Sequence, residues 1–432
     1  MTNRSVSERL ADTPKVRDTI LAAAAAARGL EGTDPRALAH SWLFTGPPGS
    51  GRSNAALAFA AALVCTDPAE IGCGRCKGCR DALAGQHTDL VHVVPKELTI
   101  AAKFVRQEIV AKAARLPTIA SHRIVIIENA DRLTEEAADA LLKTVEEPPE
   151  GTVIVLCAPS TDPEDISQTL KSRCRHLYIP SPSEEEVVRI LMEEEGASES
   201  NARLAAATSL RHLGRARKLV HSEAIQARRA NSINLAELVF FGSQAFQAVA
   251  TLVKATEKEA VEDHAEADAA EREKLERAFG VGAKGKGAAK ATSGAATALK
   301  ELEAQQKARG TRRKRDVFDL VLVDLAGIYR DALVIQSGAG ASGAGASGAG
   351  AGTGGEGGSA STVAGPSGPT VPLTHPDFEG LARELADRVD QAGLVACQDA
   401  ITQCRERLHQ QVAPLVAFNG MVGHLRRACK VD

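Results

Sequence analysis

Gly46-Pro47-Pro48-Gly49-Ser50-Gly51-Arg52-Ser53 decides the fold, because it follows a short apolar run, Ser41-Trp42-Leu43-Phe44, and opens an alanine-rich helical stretch, Asn54 to Val64. Glycines set between a strand and a helix let backbone N–H groups and a helix N-terminus cradle phosphate. The stretch fits G-x-x-x-x-G-K-[ST] at every fixed place but one, since Arg52 stands where lysine belongs. Lysine reaches the β- and γ-phosphates as a compact ammonium; arginine brings a longer planar fork that cannot take the same position without moving something. Weak or unproductive nucleotide handling is expected. The plainer reading is a Gly/Pro turn that binds nothing.

The second half of such a site is an apolar strand ending in acids that hold magnesium and polarise the attacking water. Arg123-Ile124-Val125-Ile126-Ile127 supplies the strand, followed by Glu128-Asn129-Ala130-Asp131. Glu128 takes the metal-binding place with one methylene too many, and Asn129 stands where the water-polarising glutamate would be. An amide cannot accept a proton, so no hydrolysis is expected in this chain's own site. Further strand signals at Leu90–Val94, Thr152–Leu156 and His176–Ile179 alternate with helical stretches, which predicts a parallel sheet flanked by helices. After Pro180 the strand signals stop, and Ser183-Glu184-Glu185-Glu186 reads as a capped helix start with an acidic first turn.

Cys65, Cys73, Cys76 and Cys79 cluster within fifteen residues, with Gly72, Gly74 and Gly78 to turn the backbone around a centre. Two C-x-x-C steps share Cys76, a spacing that suits tetrahedral thiolate coordination of a structural zinc ion. Disulfides and free thiols are the alternatives. A closed four-cysteine site leaves no open coordination position, so the metal is expected to be structural. Cys157, Cys397, Cys404 and Cys429 are scattered and read as small core residues.

Leu141-Leu142-Lys143-Thr144-Val145-Glu146-Glu147-Pro148-Pro149 closes a helix starting near Thr134, and Lys171-Ser172-Arg173-Cys174-Arg175 follows the next strand. With these motifs the chain resembles the clamp-loader branch of the AAA+ proteins, well over residues 40 to 220 and elsewhere only in helical character. The resemblance implies an α/β AAA+ core over 1–180 with a zinc module at 65–79, a helical lid over 181–225 and an all-α collar over 226–432. It makes Arg173, within Ser172-Arg173-Cys174, an arginine finger acting in trans, and Arg215 in Leu213-Gly214-Arg215-Ala216-Arg217 the lid's sensor arginine. Gly46, Gly49, Gly51, Arg52, Ser53 and Glu128 become a degenerate nucleotide site with ATP binding weak or absent. The family's motor subunits keep the lysine and the acidic pair that this chain lacks.

Other departures point the same way. Pro159-Ser160 stands at the γ-phosphate sensor position, Asp139 where the family has asparagine, and no adenine-holding Val-Gly-Gln precedes Asp12-Thr13-Pro14. The implied role is a non-hydrolysing subunit in a hetero-oligomeric ring with tau/gamma-type ATPase subunits and a delta subunit. It would meet the sliding clamp and primer-template DNA through the complex, in the cytoplasm at the replisome. A working motor-type ATPase and a zinc-dependent scaffold or nucleic-acid-binding protein are the competing readings.

Composition sets limits on these readings. With 52 Lys plus Arg against 55 Asp plus Glu in 432 residues, the net charge of −3 gives no global attraction to DNA. An aromatic content of 3% disfavours a base-stacking module. No apolar run reaches membrane-spanning length, and no targeting segment is evident. Gly280 to Gly294 reads as a loop, and the Gly/Ala/Ser-rich insertion at 337–369 as a tether of roughly 30 Å root-mean-square span. Amphipathic helices are expected from Phe378 to Gln410 and from Leu415 to Ala428, with Val317 to Leu333 as a broad apolar face.

Overall fold

The computed structural model describes residues 4–95, 97, 99–279, 295–338 and 371–431. The expected loop at 280–294 lies outside the described residues, as does the 337–369 insertion beyond Gly338. Five parallel strands form one sheet: β1 (Ser41–Thr45), β2 (Leu90–Val93), β3 (Arg123–Ile127), β4 (Thr152–Ala158) and β5 (Arg175–Tyr178). Their order, β2-β3-β4-β1-β5, places the strand before the phosphate loop inside the sheet and β5 at its edge.

Period-two alternation sorts side chains to the two faces. Trp42, Phe44, Ile124, Ile126, Val153, Val155 and Cys157 pack on one side with the helix Arg52–Val64; Leu43, Val125, Ile127, Ile154 and Leu156 pack on the other with the helix Glu135–Glu146. Both faces are covered, so the inner strands β1, β3 and β4 are buried along their length, whereas the edge strand β5 is mostly exposed. Trp42 and Phe59 meet edge-on with ring centroids 5.2 Å apart. Thr134 caps the helix Glu135–Glu146 by accepting from the Ala137 N–H, and Pro148-Pro149 prevents its continuation.

Asp89 anchors the entry to the sheet. Fully buried, it accepts N–H bonds from Thr118 (2.6 Å), Ile119 (2.7 Å) and Ala120 (2.9 Å) and pairs with Arg123 at 3.3 Å. Burial pushes its pKa up, but these donors outweigh it and hold the carboxyl below the usual range.

By packing, the chain divides into two units. One comprises Met1–Ala197, Arg211–Ala216 and Asp268–Arg312; the other comprises Ser198–Leu210, Arg217–Ala267 and Arg313–Asp432. The second unit is helical, with a core of Phe318, Val321, Leu322, Leu325, Ile328 and Tyr329 from one helix against Phe418, Met421 and Leu425 from another. The expected continuous helix from Phe378 to Gln410 is broken: Glu379–Arg388 ends at Val389, which is extended, and Asp390 caps a new helix, Gln391–His409, by accepting from the Gly393 N–H. A local side-chain acceptor ended the helix where apolar periodicity alone would have continued it. Buried Arg229 and His375 meet the exposed Asp377 in this unit, with Arg229 donating to both Asp377 oxygens and to His375 Nδ1.

Candidate functional site

The phosphate loop sits where the sequence places it, between β1 and the helix Arg52–Val64, and Ser53 lies in that helix's first turn. Gly49 and Gly51 both have φ of +86°, a region favouring glycine. A Cβ at Gly46 would lie 2.1 Å from the Ile179 carbonyl oxygen, and one at Gly49 would lie 2.5 Å from His212 Cγ. The loop is thus confined by the end of β5 and by His212, the residue that immediately precedes the Leu213–His221 helix. Sequence reasoning missed His212; its only signal is its place beside the Leu213-Gly214-Arg215 motif.

The polar groups around this loop face inward. Ser50 is buried with no partner for its hydroxyl among the described residues, and Arg52 Nη1 is likewise buried and unpartnered. Burial lowers the Arg52 pKa against the pull of Cys157, Asp131, Asp165 and Glu128. Glu128 is engaged by its neighbour: His92 Nε2 on β2 lies 2.7 Å from its Oε1. Asn129 takes a left-handed conformation, φ +49°, and starts a short 3-10 turn. Ser160 donates to Asp165 at 2.7 Å. Arg215 stands in the first turn of its helix and, with Arg52, helps depress the His212 pKa, whose main cause is burial.

Beside these groups is a hollow of about 550 Å³ whose lining includes Asp131, Glu135, Asp139, Glu164 and Asp165. Burial raises the Asp131 pKa, and its Oδ1 has no partner among the described residues. The acidic groups around this hollow disfavour a polyanion such as a nucleoside triphosphate there.

Arg173 lies elsewhere in the unit, in the turn between the short helix Gln168–Lys171 and β5, and is exposed. Its Nε is 3.2 Å from Glu146, and Nη1 donates to the Thr169 carbonyl at 3.0 Å and to Ser172 Oγ at 3.3 Å. None of these partners is among the charges that act on Arg52. The flanking cations are committed to backbone: Lys171 donates to Thr161 O and Arg175 to Ala37 O, with the Arg175 guanidinium 4.9 Å from the Trp42 ring centroid. Cys174 is partly buried, and burial pushes its thiol up to about 12.

The four clustered cysteines converge. The sulfurs of Cys65, Cys73, Cys76 and Cys79 all lie within 4.8 Å of one another and could hold a metal ion. Backbone N–H groups point at them: Cys73 N to Cys65 Sγ at 3.5 Å, Cys76 N to Cys73 Sγ and Cys79 N to Cys76 Sγ at 3.3 Å each. Such donors stabilise thiolate charge. Gly74 at φ +73° leaves no room for a side chain, since a Cβ would lie 2.1 Å from the Arg4 carbonyl oxygen. Burial raises the Cys76 pKa, but backbone and hydroxyl donors, including Thr66 and Cys79, bring it down to about 6.

A family model described as DNA polymerase III, delta subunit matches residues 31–183. DNA polymerase III subunit delta' of Pseudomonas aeruginosa is 36% identical over 149 residues, 33% of this chain and 44% of that one. The Bacillus subtilis delta' is 31% identical over 205 residues, 47% of this chain and 60% of that one. Bacillus subtilis subunit tau is 32% identical over 137 residues, 32% of this chain and 24% of that one. The chain spans about half the length of the delta' relatives it matches. Over its sheet-bearing region, residues 31–183, the chain is thus similar to DNA polymerase III delta' subunits.

Proposed function

We propose that the chain is a non-hydrolysing clamp-loader subunit that completes the ATP site of an adjoining tau/gamma-type subunit with Arg173. The observation that carries this reading is the exposed Arg173 in a chain whose own phosphate loop lacks its lysine and whose Walker-type acid is tied to His92. A guanidinium stays charged at any working pH and stabilises charge spreading over a transferred γ-phosphoryl group, an effect of about 10³–10⁵ in rate. In this reading, residues 181–225 act as a lid and 226–432 as a collar in a ring with motor and delta subunits. The ring loads the sliding clamp on primed DNA in the cytoplasm. Among the described residues no helix is long and apolar enough to cross a membrane.

Cys65, Cys73, Cys76 and Cys79 would hold zinc, which supplies a structural crosslink between the end of the helix Arg52–Val64 and the helix Lys77–Leu83. Four thiolates suit that ion best among common divalent metals. The test is reconstitution with tau/gamma, delta and clamp, followed by a clamp-loading assay. The Arg173→Ala protein should join the ring as the wild type does and load clamps more slowly. Loading at the wild-type rate would remove the finger role.

A further inference from the structure

Cys397 and Cys429 are 32 positions apart in sequence, yet their sulfurs are 3.8 Å apart in the core of the helical unit. Their surroundings differ. Cys397 is fully buried beside the Tyr329 hydroxyl. Cys429 follows the last helix, Pro414–Ala428, and lines an open cavity of about 290 Å³ together with Arg388, Asp390 and Lys430. Cys429, only 7% exposed, therefore borders an open cavity that does not touch Cys397.

We propose that Cys429 and Cys397 are a peroxide-reactive pair, with Cys429 as the attacking thiolate and Cys397 as the resolving thiol. The contact between the two sulfurs lowers the Cys429 pKa against burial, with Arg388 adding to the effect, and pushes Cys397 up. A cysteine of lowered pKa that borders an open cavity and contacts a second thiol is the arrangement in which a small oxidant such as peroxide forms a sulfenic acid that the second thiol resolves.

The steps balance. The Cys429 thiolate attacks one peroxide oxygen, the O–O bond breaks, hydroxide leaves and Cys429 becomes a sulfenic acid. Cys397 attacks that sulfur, and its proton leaves with the sulfenic hydroxyl as water. In total, two thiols lose two hydrogens and one hydrogen peroxide becomes two waters. Closing the sulfurs to bonding distance takes a movement of roughly 1.8 Å. The product staples the helix Gln391–His409 to the end of Pro414–Ala428, and a dithiol reductant reverses it.

The test treats the full chain with hydrogen peroxide, then maps thiols by alkylation and peptide mass, which separates this pair from the clustered cysteines. The expected result is a peptide pair linking residues 397 and 429, lighter by two hydrogens and restored by dithiothreitol. In Cys397→Ser, Cys429 should instead be trapped by dimedone as the sulfenic acid. Full alkylation of both thiols in the wild-type chain after peroxide would overturn the proposal, as would linkage only to other cysteines.

Discussion

The phosphate loop and the Ser172-Arg173 turn belong to the same compact unit, yet they treat their polar groups in opposite ways. Around the loop, Ser50 and Arg52 are turned inward and Glu128 is occupied by His92. At the turn, Arg173 is exposed and held among the described residues by a partly exposed carboxylate, a carbonyl and a hydroxyl. The first arrangement uses functional-looking residues as structure, and the second keeps a cation available. A degenerate motif is thus recognised as much by where its surviving residues are spent as by which ones are missing.

Substitutions at the two places should separate them. Gly49→Ala meets a left-handed backbone and the His212 ring together and should destabilise the chain by roughly 2–4 kcal/mol in denaturant unfolding. Ser172→Ala at the turn should change stability by no more than about 0.5 kcal/mol. Equal tolerance at both would break the contrast. Arg52→Met removes a half-buried guanidinium with an unpartnered nitrogen, so unfolding should show no loss, or a gain of about 1 kcal/mol. A substantial loss would mean that Arg52 is compensated.

Smaller effects sharpen the contrast. Glu146→Gln releases one contact of Arg173, and because both side chains are partly exposed the stability change should stay below about 1 kcal/mol. His212 gives the loop a pH signature. Its folded pKa lies below the unfolded value of about 6.5, so the unfolded chain takes up the proton first. Its contribution is complete above that pH and declines as pH falls through it. The stability difference between wild type and His212→Gln should therefore shift toward the variant on acidification, which unfolding curves at several pH values would measure.

Much of this was legible in the sequence because it is local. Apolar runs of four to five residues between turns became β1 to β5 within a residue or two, and the C-x-x-C spacing brought all four sulfurs together. What escaped was tertiary. His92 and Glu128 meet through the pairing of adjacent strands, His212 reaches Gly49 from a distant helix start, and Cys397 finds Cys429 only once two helices pack. The break at Asp390 was local but hidden, since a capping aspartate inside an amphipathic stretch also reads as a residue on its solvent face.

ATP turnover by the reconstituted clamp loader, measured with Arg173→Ala and Arg52→Ala side by side at matched ring assembly, tests the division between these two regions most directly. The account predicts that turnover falls by about 10² or more with Arg173→Ala and holds with Arg52→Ala. The reverse pattern, or an unchanged rate with Arg173→Ala, would contradict it.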